Sequence, residues 1–362
     1  MNKIDIGFQK VKCIAHIADV HIRNLRRHKE YKQVFRKLYK DLKENLPDNS
    51  LIYLAGDIAH AKTEMSPELI EMTSELFTKL SKIAPTILIA GNHDCNLNNK
   101  NRLDALSPIV DSLQLDNFHY LKDNGLYEIA DCVFNVMSVF NDPEDYILSK
   151  NINTDKTKIA LYHGSVESAT TDVGFKLPGE VTTDIFTGYD MVLLGDIHKQ
   201  QYLNKAKTIA YAGSLVCQNW GEHATNHGYI KWDAPKRKPE YRIIENDYAY
   251  VTLEIENGKI VNEIPMPKYP RLRIKVCKTE ESQLKTILTE IRKTSKLKDV
   301  AIIRTDRLSD QRSGDRNAKD AGIGDVRDPN YQNRLIVDYL ERNFVLEDDV
   351  VKTIKKINKD LN

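Results

Sequence analysis

The 362-residue sequence lacks any cysteine pair: Cys13, Cys95, Cys132, Cys217 and Cys277 are scattered, odd in number and form no CxxC. That pattern argues against a disulfide framework or a zinc ribbon and fits a reducing compartment. No apolar run approaches the ~20 residues that cross a bilayer. Residues 1–12 are charged and carry no apolar stretch of the secretory kind. The chain therefore reads as soluble and intracellular. A charge excess is missing too. Lys and Arg number 53 against 52 Asp and Glu, for a net +1, so any hold on a polyanion must come from local basic surface. Internal repeats are absent.

What is present is an alternation of short apolar runs with amphipathic helices. At roughly 100–200 residues per domain the length predicts two domains, enough to bury a core without staples. Residues 11–17, 50–55, 85–90, 158–162 and 190–194 are short, apolar and rich in β-branched side chains, and read as buried strands. Residues 28–46 place Tyr31, Phe35, Leu38, Leu42 and Leu46 on one helical face. Residues 66–82 open with Ser66 as N-cap and Pro67 in the first turn, with Leu69, Thr73, Phe77 and Leu80 along one side. Strand-helix-strand order predicts a layered α/β domain.

Composition shifts at the proline-broken basic stretch 234–240, which reads as a domain boundary. Beyond it, 271–276, 281–293 and 299–304 read as strand, helix and strand of a second, smaller domain. Residues 309–329 are polar and glycine-bearing and read as a flexible linker. Two closing helices follow, one with Tyr331, Leu335, Tyr339 and Leu340, the other with Val350, Ile354, Ile357 and Leu361. The second stripe needs a cover, either the chain's own body or a partner.

Five polar clusters each follow a predicted strand: Asp19-Val-His21, Gly56-Asp57-Ile-Ala-His60, Gly91-Asn92-His93-Asp94, His163-Gly164 and Gly195-Asp196-Ile-His198. In α/β sheets, functional groups gather outside the carboxyl ends of strands. Asp, Asn and His together suit Mn²⁺, Fe²⁺ or Zn²⁺ better than Ca²⁺. Seven or eight such ligands exceed what one ion needs, whereas two ions roughly 3.5–4 Å apart with a shared carboxylate account for them. The glycines at 56, 91, 164 and 195 are read as tight turns beside the ions. Asp94 reads as a group orienting its neighbours, and Cys95 as no ligand.

The ordered set D-x-H, GD, GNHD, H and GxxH resembles the calcineurin-like metallophosphoesterases over residues 11 to 233. His60, together with Tyr211-Ala-Gly-Ser214, Glu222 and His227-Gly228-Tyr-Ile-Lys-Trp232, resembles the SbcD nuclease branch of that superfamily. The resemblance implies a two-sheet α/β sandwich core over 1–235, a small α+β capping domain over 241–308, and a helical tail over 330–362. It implies a Mn²⁺-dependent DNA nuclease in recombination or repair, acting as a 3′-to-5′ exonuclease on duplex ends and as an endonuclease on single strands. Carried over by position, Asp19, His21 and His198 would hold one metal, Asn92, His163 and Asp196 the other, and Asp57 would bridge. His93 would meet the leaving oxygen, with His60 assisting. Asp196 departs from the histidine that many members carry there, giving a harder donor. The resemblance also implies an SbcC-type ATPase bound through 330–362 and a homodimer, in the cytoplasm or, for a viral chain, the host cell. Other phosphoesters, such as a phosphoprotein or cyclic nucleotide, and a non-catalytic role as a DNA-end scaffold are the alternatives.

For DNA, the stretch 23–43 carries nine Lys and Arg against Glu30 and Asp41. Arg23, Arg26 and Arg27 precede the regular helix and lie nearest the first motif, which makes them the expected phosphate contacts. Trp220 reads as a core residue or, less simply, as a groove wall.

Overall fold

The computed structural model describes residues 1–305, apart from 62, 63, 100, 101 and 263. In chain order the strands are β1 (Asn2–Ile4), β2 (Cys13–Ile17), β3 (Ser50–Leu54), β4 (Thr86–Leu88), β5 (Phe118–Tyr120), β6 (Gly125–Ile129), β7 (Cys132–Met137), β8 (Thr157–His163) and β9 (Met191–Gly195). There follow β10 (Gln201–Tyr202), β11 (Ile209–Tyr211), β12 (Gly228–Asp233), β13 (Lys238–Ile243), β14 (Tyr248–Glu256), β15 (Lys259–Ile260), β16 (Tyr269–Cys277) and β17 (Asp299–Arg304). The α-helices among the described residues are α1 (His28–Asn45), α2 (Pro67–Ser81), α3 (Ser107–Leu113) and α4 (Glu281–Thr294).

Three sheets result, ordered β1-β6-β7-β8-β9-β11-β10, β13-β12-β2-β3-β4-β5 and β15-β14-β16-β17. The first two stack face to face. Alternation within β3 explains how: Leu51 and Tyr53 point between the sheets, beside Phe134, Val136, Ile159 and Leu161. Ile52 and Leu54 point the other way, onto α1 and α2. Both faces of β3 are covered, which is why its sequence is a continuous apolar run rather than an alternating one.

The helices end where local chemistry dictates. The Ser66 hydroxyl accepts from the Leu69 amide at 3.3 Å and Pro67 fills the first turn of α2. α1 buries Tyr31, Val34, Phe35, Leu38 and Leu42 and stops at Leu46, whose backbone is extended ahead of Pro47.

The basic stretch 234–240 is not a domain boundary. It lies within an antiparallel hairpin, 234–237 as its turn and 238–240 as the start of β13, with Asp233 opposite Lys238 and Gly228 opposite Ile243. Lys236 donates to Asp233 from both its amide and its ammonium, so the charged run caps a turn. The chain leaves this sheet after Ile243. In the small third sheet β14 and β16 run parallel in register over nine residues, Tyr248–Glu256 against Tyr269–Cys277. Val251, Leu253 and Ile255 of β14 alternate into a core with Leu272, Ile274, Leu284 and Ile291. A capping box between Glu280 and Gln283 starts α4.

Residues 1–303 form one compact unit. The expected linker over 309–329 and helical tail over 330–362 lie outside the described residues. No helix among the described residues is long and apolar enough to cross a membrane.

Candidate metal centre

All five motifs lie at the carboxyl ends of β2, β3, β4, β8 and β9. The loop after β2 and the loop after β3 run together as a backbone ladder. His21 and Ile22 donate to the carbonyls of Asp57 and Ile58, at 2.9 and 2.8 Å, and His60 donates back to Ile22 at 3.0 Å. Asp19, His21, Asp57 and Asp196 all have positive φ, at 51°, 50°, 53° and 97°. Four non-glycine ligand candidates in that disfavoured region mark a site whose geometry is imposed by its surroundings.

The glycines act differently from the turns expected of them. Gly56 does have a positive φ of 85°. Gly91 is needed for close approach: a Cβ there would sit 2.2 Å from Oδ1 of Asp57.

The donor atoms converge. Nε2 of His21 and Nε2 of His198 are 2.9 Å apart. Asp57 stands between the two halves, with Oδ2 at 3.4 Å from Nε2 of His21 and Oδ1 at 3.4 Å from Nε2 of His163. Asp19, Asp57 and His163 can each place a ligand atom within 4.8 Å of the others, as can Asp19, His21 and His198. Oδ1 of Asp196 lies 3.9 Å from Nε2 of His163 and 2.9 Å from the Asn92 amide. The polar atoms of the seven residues expected as ligands therefore gather in one place.

Their free lone pairs point inward because other atoms hold the outer ones. Nδ1 of His163 donates to the Ala55 carbonyl at 2.6 Å, which leaves Nε2 buried with no hydrogen-bond partner. Nδ1 of His198 lies 2.7 Å from Oε1 of Glu222, which directs Nε2 to the centre. An imidazole fixed at one nitrogen and open at the other is the posture of a metal ligand. The orphaned nitrogen and the hard-and-borderline donor set fit divalent cations.

Electrostatics point the same way. Burial, then Asp57 and Asp196, push the Asp19 carboxyl up to about 7, against the pull of His163 and His198. Burial drives His21 well below its ordinary value. Burial pulls His163 down too, but Asp57, Asp19 and Asp196 outweigh it and hold the ring well above its usual value. The same burial opposes His198, yet its bond to Glu222 raises it to about 9. Protons on Asp19, His163 and His198 thus do the neutralising that a cation would do.

Asp94 is wholly buried, and both of its carboxylate oxygens are taken by backbone amides. It accepts from the amides of Ala59 and Gly91, both at 2.9 Å, and so clamps two of the motif loops together. Cys95 donates to the Gly91 carbonyl at 3.5 Å.

His60 and His93 stack at the rim, rings 16° from parallel and 5.4 Å apart. Nδ1 of His93 donates to the His60 carbonyl at 2.9 Å, leaving Nε2 as its open atom. Nε2 of His60 receives Nη1 of Arg23 at 2.9 Å. Burial, then the Arg23 charge, lowers His60 to about 4, so its ring is neutral at pH 7.

Of the three arginines expected to contact DNA, Arg26 is exposed and Arg23 sits beside the site, but Arg27 is a correction. Its side chain is 4% exposed. Its guanidinium forks onto Glu30 with two bonds of 3.0 Å, donates to the Cys217 carbonyl at 2.6 Å and reaches Gln218 at 3.1 Å. Four of its five N–H groups are thereby engaged inside the protein, which leaves this buried side chain unsuited to a phosphate contact. Trp220 belongs to neither a core nor a groove wall of the metal site. It packs edge-on against Tyr250 of the small sheet, centroids 4.7 Å apart, with Arg273 over its ring. Glu222 enters the sequence reading only through a resemblance, and its hold on His198 is a contact between residues 24 apart.

A sandwich of two mixed sheets with Asp, Asn and His delivered from five strand ends defines a metallophosphoesterase. The family model described as calcineurin-like phosphoesterase matches residues 14–200, and the chain belongs to that family. It is a hydrolase family of phosphoesters that uses divalent metals. An uncharacterized protein of Acanthamoeba polyphaga mimivirus is 47% identical over 294 residues, which cover 78% of this chain and 22% of that protein. The chain therefore spans about a fifth of that relative's length. A Staphylococcus epidermidis protein, named as the SbcD component of the SbcCD nuclease, is 24% identical over 296 residues, 73% of this chain and 71% of its own.

Proposed function

We propose that the chain is a Mn²⁺-dependent DNA nuclease, the nuclease component of an SbcC–SbcD-like complex in recombination or repair. The observation that carries this reading is the Arg23–His60–His93 group on the rim of the cage, outside the ligand set. The relative named as part of the SbcCD nuclease supports it.

Asp19, His21 and His198 would hold one cation, Asn92, His163 and Asp196 the other, and Asp57 both. Such a pair, when bound, supplies Lewis-acid polarisation of a phosphodiester and acidifies a water. The chain's own groups then do the rest. With Nδ1 of His93 donating to the His60 carbonyl, Nε2 faces the departing sugar oxygen and, when the ring is an imidazolium carrying a proton on both nitrogens, gives that oxygen its Nε2 proton and leaves the neutral ring behind. Neutral His60 holds the charged Arg23 guanidinium beside the phosphate, where it steadies developing negative charge. Exposed Arg26 extends the basic surface along the strand. Cleavage runs 3′-to-5′ on duplex ends and endonucleolytically on single strands. Residues 330–362 dock an SbcC-type ATPase, and two copies of the chain pair as a homodimer.

The deciding experiment is digestion of end-labelled duplex and circular single-stranded DNA in Mn²⁺, beside p-nitrophenyl phosphate, with and without the ATPase. DNA cleavage that EDTA abolishes supports the reading. Hydrolysis of the small ester with intact DNA would instead place the chain with phosphatases of the same fold. Deleting 329–362 should abolish ATPase binding and spare cleavage of short DNA.

A further inference from the structure

Among the candidate ligands, Asp196 and His198 keep side-chain exposures of 20% and 26%, against 2% and 0% for Asp57 and His163. They open onto a cleft of about 410 Å³ whose far wall is Thr171, Asp172, Val173, Phe175 and Leu177. That wall is the tip of a small hairpin. Thr170 pairs antiparallel with Lys176. The Gly174 amide bonds to the Thr171 carbonyl at 2.9 Å, with Gly174 at a φ of 83°.

The hairpin is anchored at its base. Nζ of Lys199, the residue after His198, donates to Oγ1 of Thr170 at 2.9 Å. Gln201 brackets Thr170, accepting from its amide at 3.0 Å and donating to its carbonyl at 2.9 Å. This held tip nonetheless leaves Val173 74% and Phe175 63% exposed. Large apolar side chains fixed in water beside a reactive centre signal a surface that a ligand covers. What covers it must be joined to a phosphoester at Asp196 and His198, be flat and apolar on its faces, and be polar at its edge, where Asn219 and Asp172 lie on the same cleft. A nucleobase has all of these properties.

We propose that Phe175, with Val173 beside it, is the stacking platform for the base adjoining the scissile phosphate. The hairpin 170–176 thereby makes the site prefer nucleotides over other phosphoesters. This rests on the nuclease reading above. Because every base offers a π-face, the platform tolerates sequence while rejecting strands that lack a base there.

The test uses the full chain in Mn²⁺ with two matched oligonucleotides, one bearing a single abasic residue next to the cleaved bond. Wild type should favour the base-bearing strand about tenfold in kcat/KM. Phe175→Trp should keep that preference, Phe175→Leu weaken it and Phe175→Ala erase it. If Phe175→Ala discriminates as well as wild type, the platform is refuted and the tip faces a protein partner instead. If wild type cuts neither strand while hydrolysing bis-p-nitrophenyl phosphate, the nuclease reading falls and this proposal with it.

Discussion

Oε1 of Glu222 lies 2.7 Å from Nδ1 of His198, and the same carboxylate accepts from the Gln218 amide at 2.7 Å and the Asn219 side chain at 2.7 Å. Burial would raise Glu222, but the bond to His198 and its charge hold the carboxyl below its usual value. Glu222 is therefore an anion that fixes one imidazole and raises its basicity. Glu222→Gln keeps an oxygen for the bond but drops the charge. It should weaken divalent metal affinity about tenfold, with activity recovered by raising Mn²⁺. Titration calorimetry gives the affinity directly, and an unchanged Kd would show that Glu222 does not tune the site.

Arg27 and Arg26 are neighbours with opposite fates. Burial pushes the Glu30 carboxyl up, but its bonds to Arg27 and the charge of Arg271 outweigh this and hold it low. Oε2 of Glu30 lies 2.8 Å from Nη2 of Arg271 in β16, so this cluster ties α1 to the small sheet. Breaking a buried pair from one side leaves an uncompensated charge. Arg27→Met should cost about 3 kcal/mol or more in urea unfolding and leave the salt slope of DNA binding alone. Arg26→Glu should do the reverse, lowering that slope by about one phosphate contact.

Much of the site is legible in the sequence because each ligand motif is local: a buried strand, then two or three polar residues. The convergence of Asp19, Asp57, Asn92, His163, Asp196 and His198 follows once those strands lie parallel and in register. Arg27 misleads because basicity along a sequence says nothing of where a guanidinium points, and here Glu30, the Cys217 carbonyl and Gln218 capture it. The 234–240 stretch misleads for a related reason, since a hairpin turn and a linker share composition. β14 goes unread although its burial alternates regularly and its Tyr, Val, Thr and Ile all favour strands, so nothing in the sequence hides it.

His93 is held at Nδ1 by the His60 carbonyl, and its ring stands edge-on to that of His21, centroids 4.8 Å apart. His93→Asn should retain metal binding and lose about a hundredfold or more of phosphodiester hydrolysis. Metal content and the Mn²⁺-induced rise in Tm report the first, and the single-turnover cleavage rate reports the second. Undiminished cleavage would remove His93 from the mechanism.

The protons standing in for cations should also show in the stability of the metal-free protein. Burial opposes protonation of His198, but the bond to Glu222 lifts it from 6.5 to about 9; burial opposes it at His163 too, where Asp57, Asp19 and Asp196 nonetheless hold the ring well above its usual value. A raised histidine binds its proton more tightly when folded, so its stabilisation is complete below pH 6.5 and is lost as pH climbs toward 9. Asp19 and Asp94, pushed to about 7 chiefly by burial, act in the same direction up to pH 7. His16 and His60, lowered by burial to about 3 and about 4, act oppositely, but only below their unfolded value of 6.5. Between pH 6.8 and 8.5 the raised groups are therefore unopposed by these histidines. EDTA-treated protein should melt several degrees lower at pH 8.5 than at 6.8. Saturating Mn²⁺ should flatten that difference, because the cation displaces the protons and releases them to solvent. A metal-free Tm that holds or rises across this range would show that the cage carries no such protons.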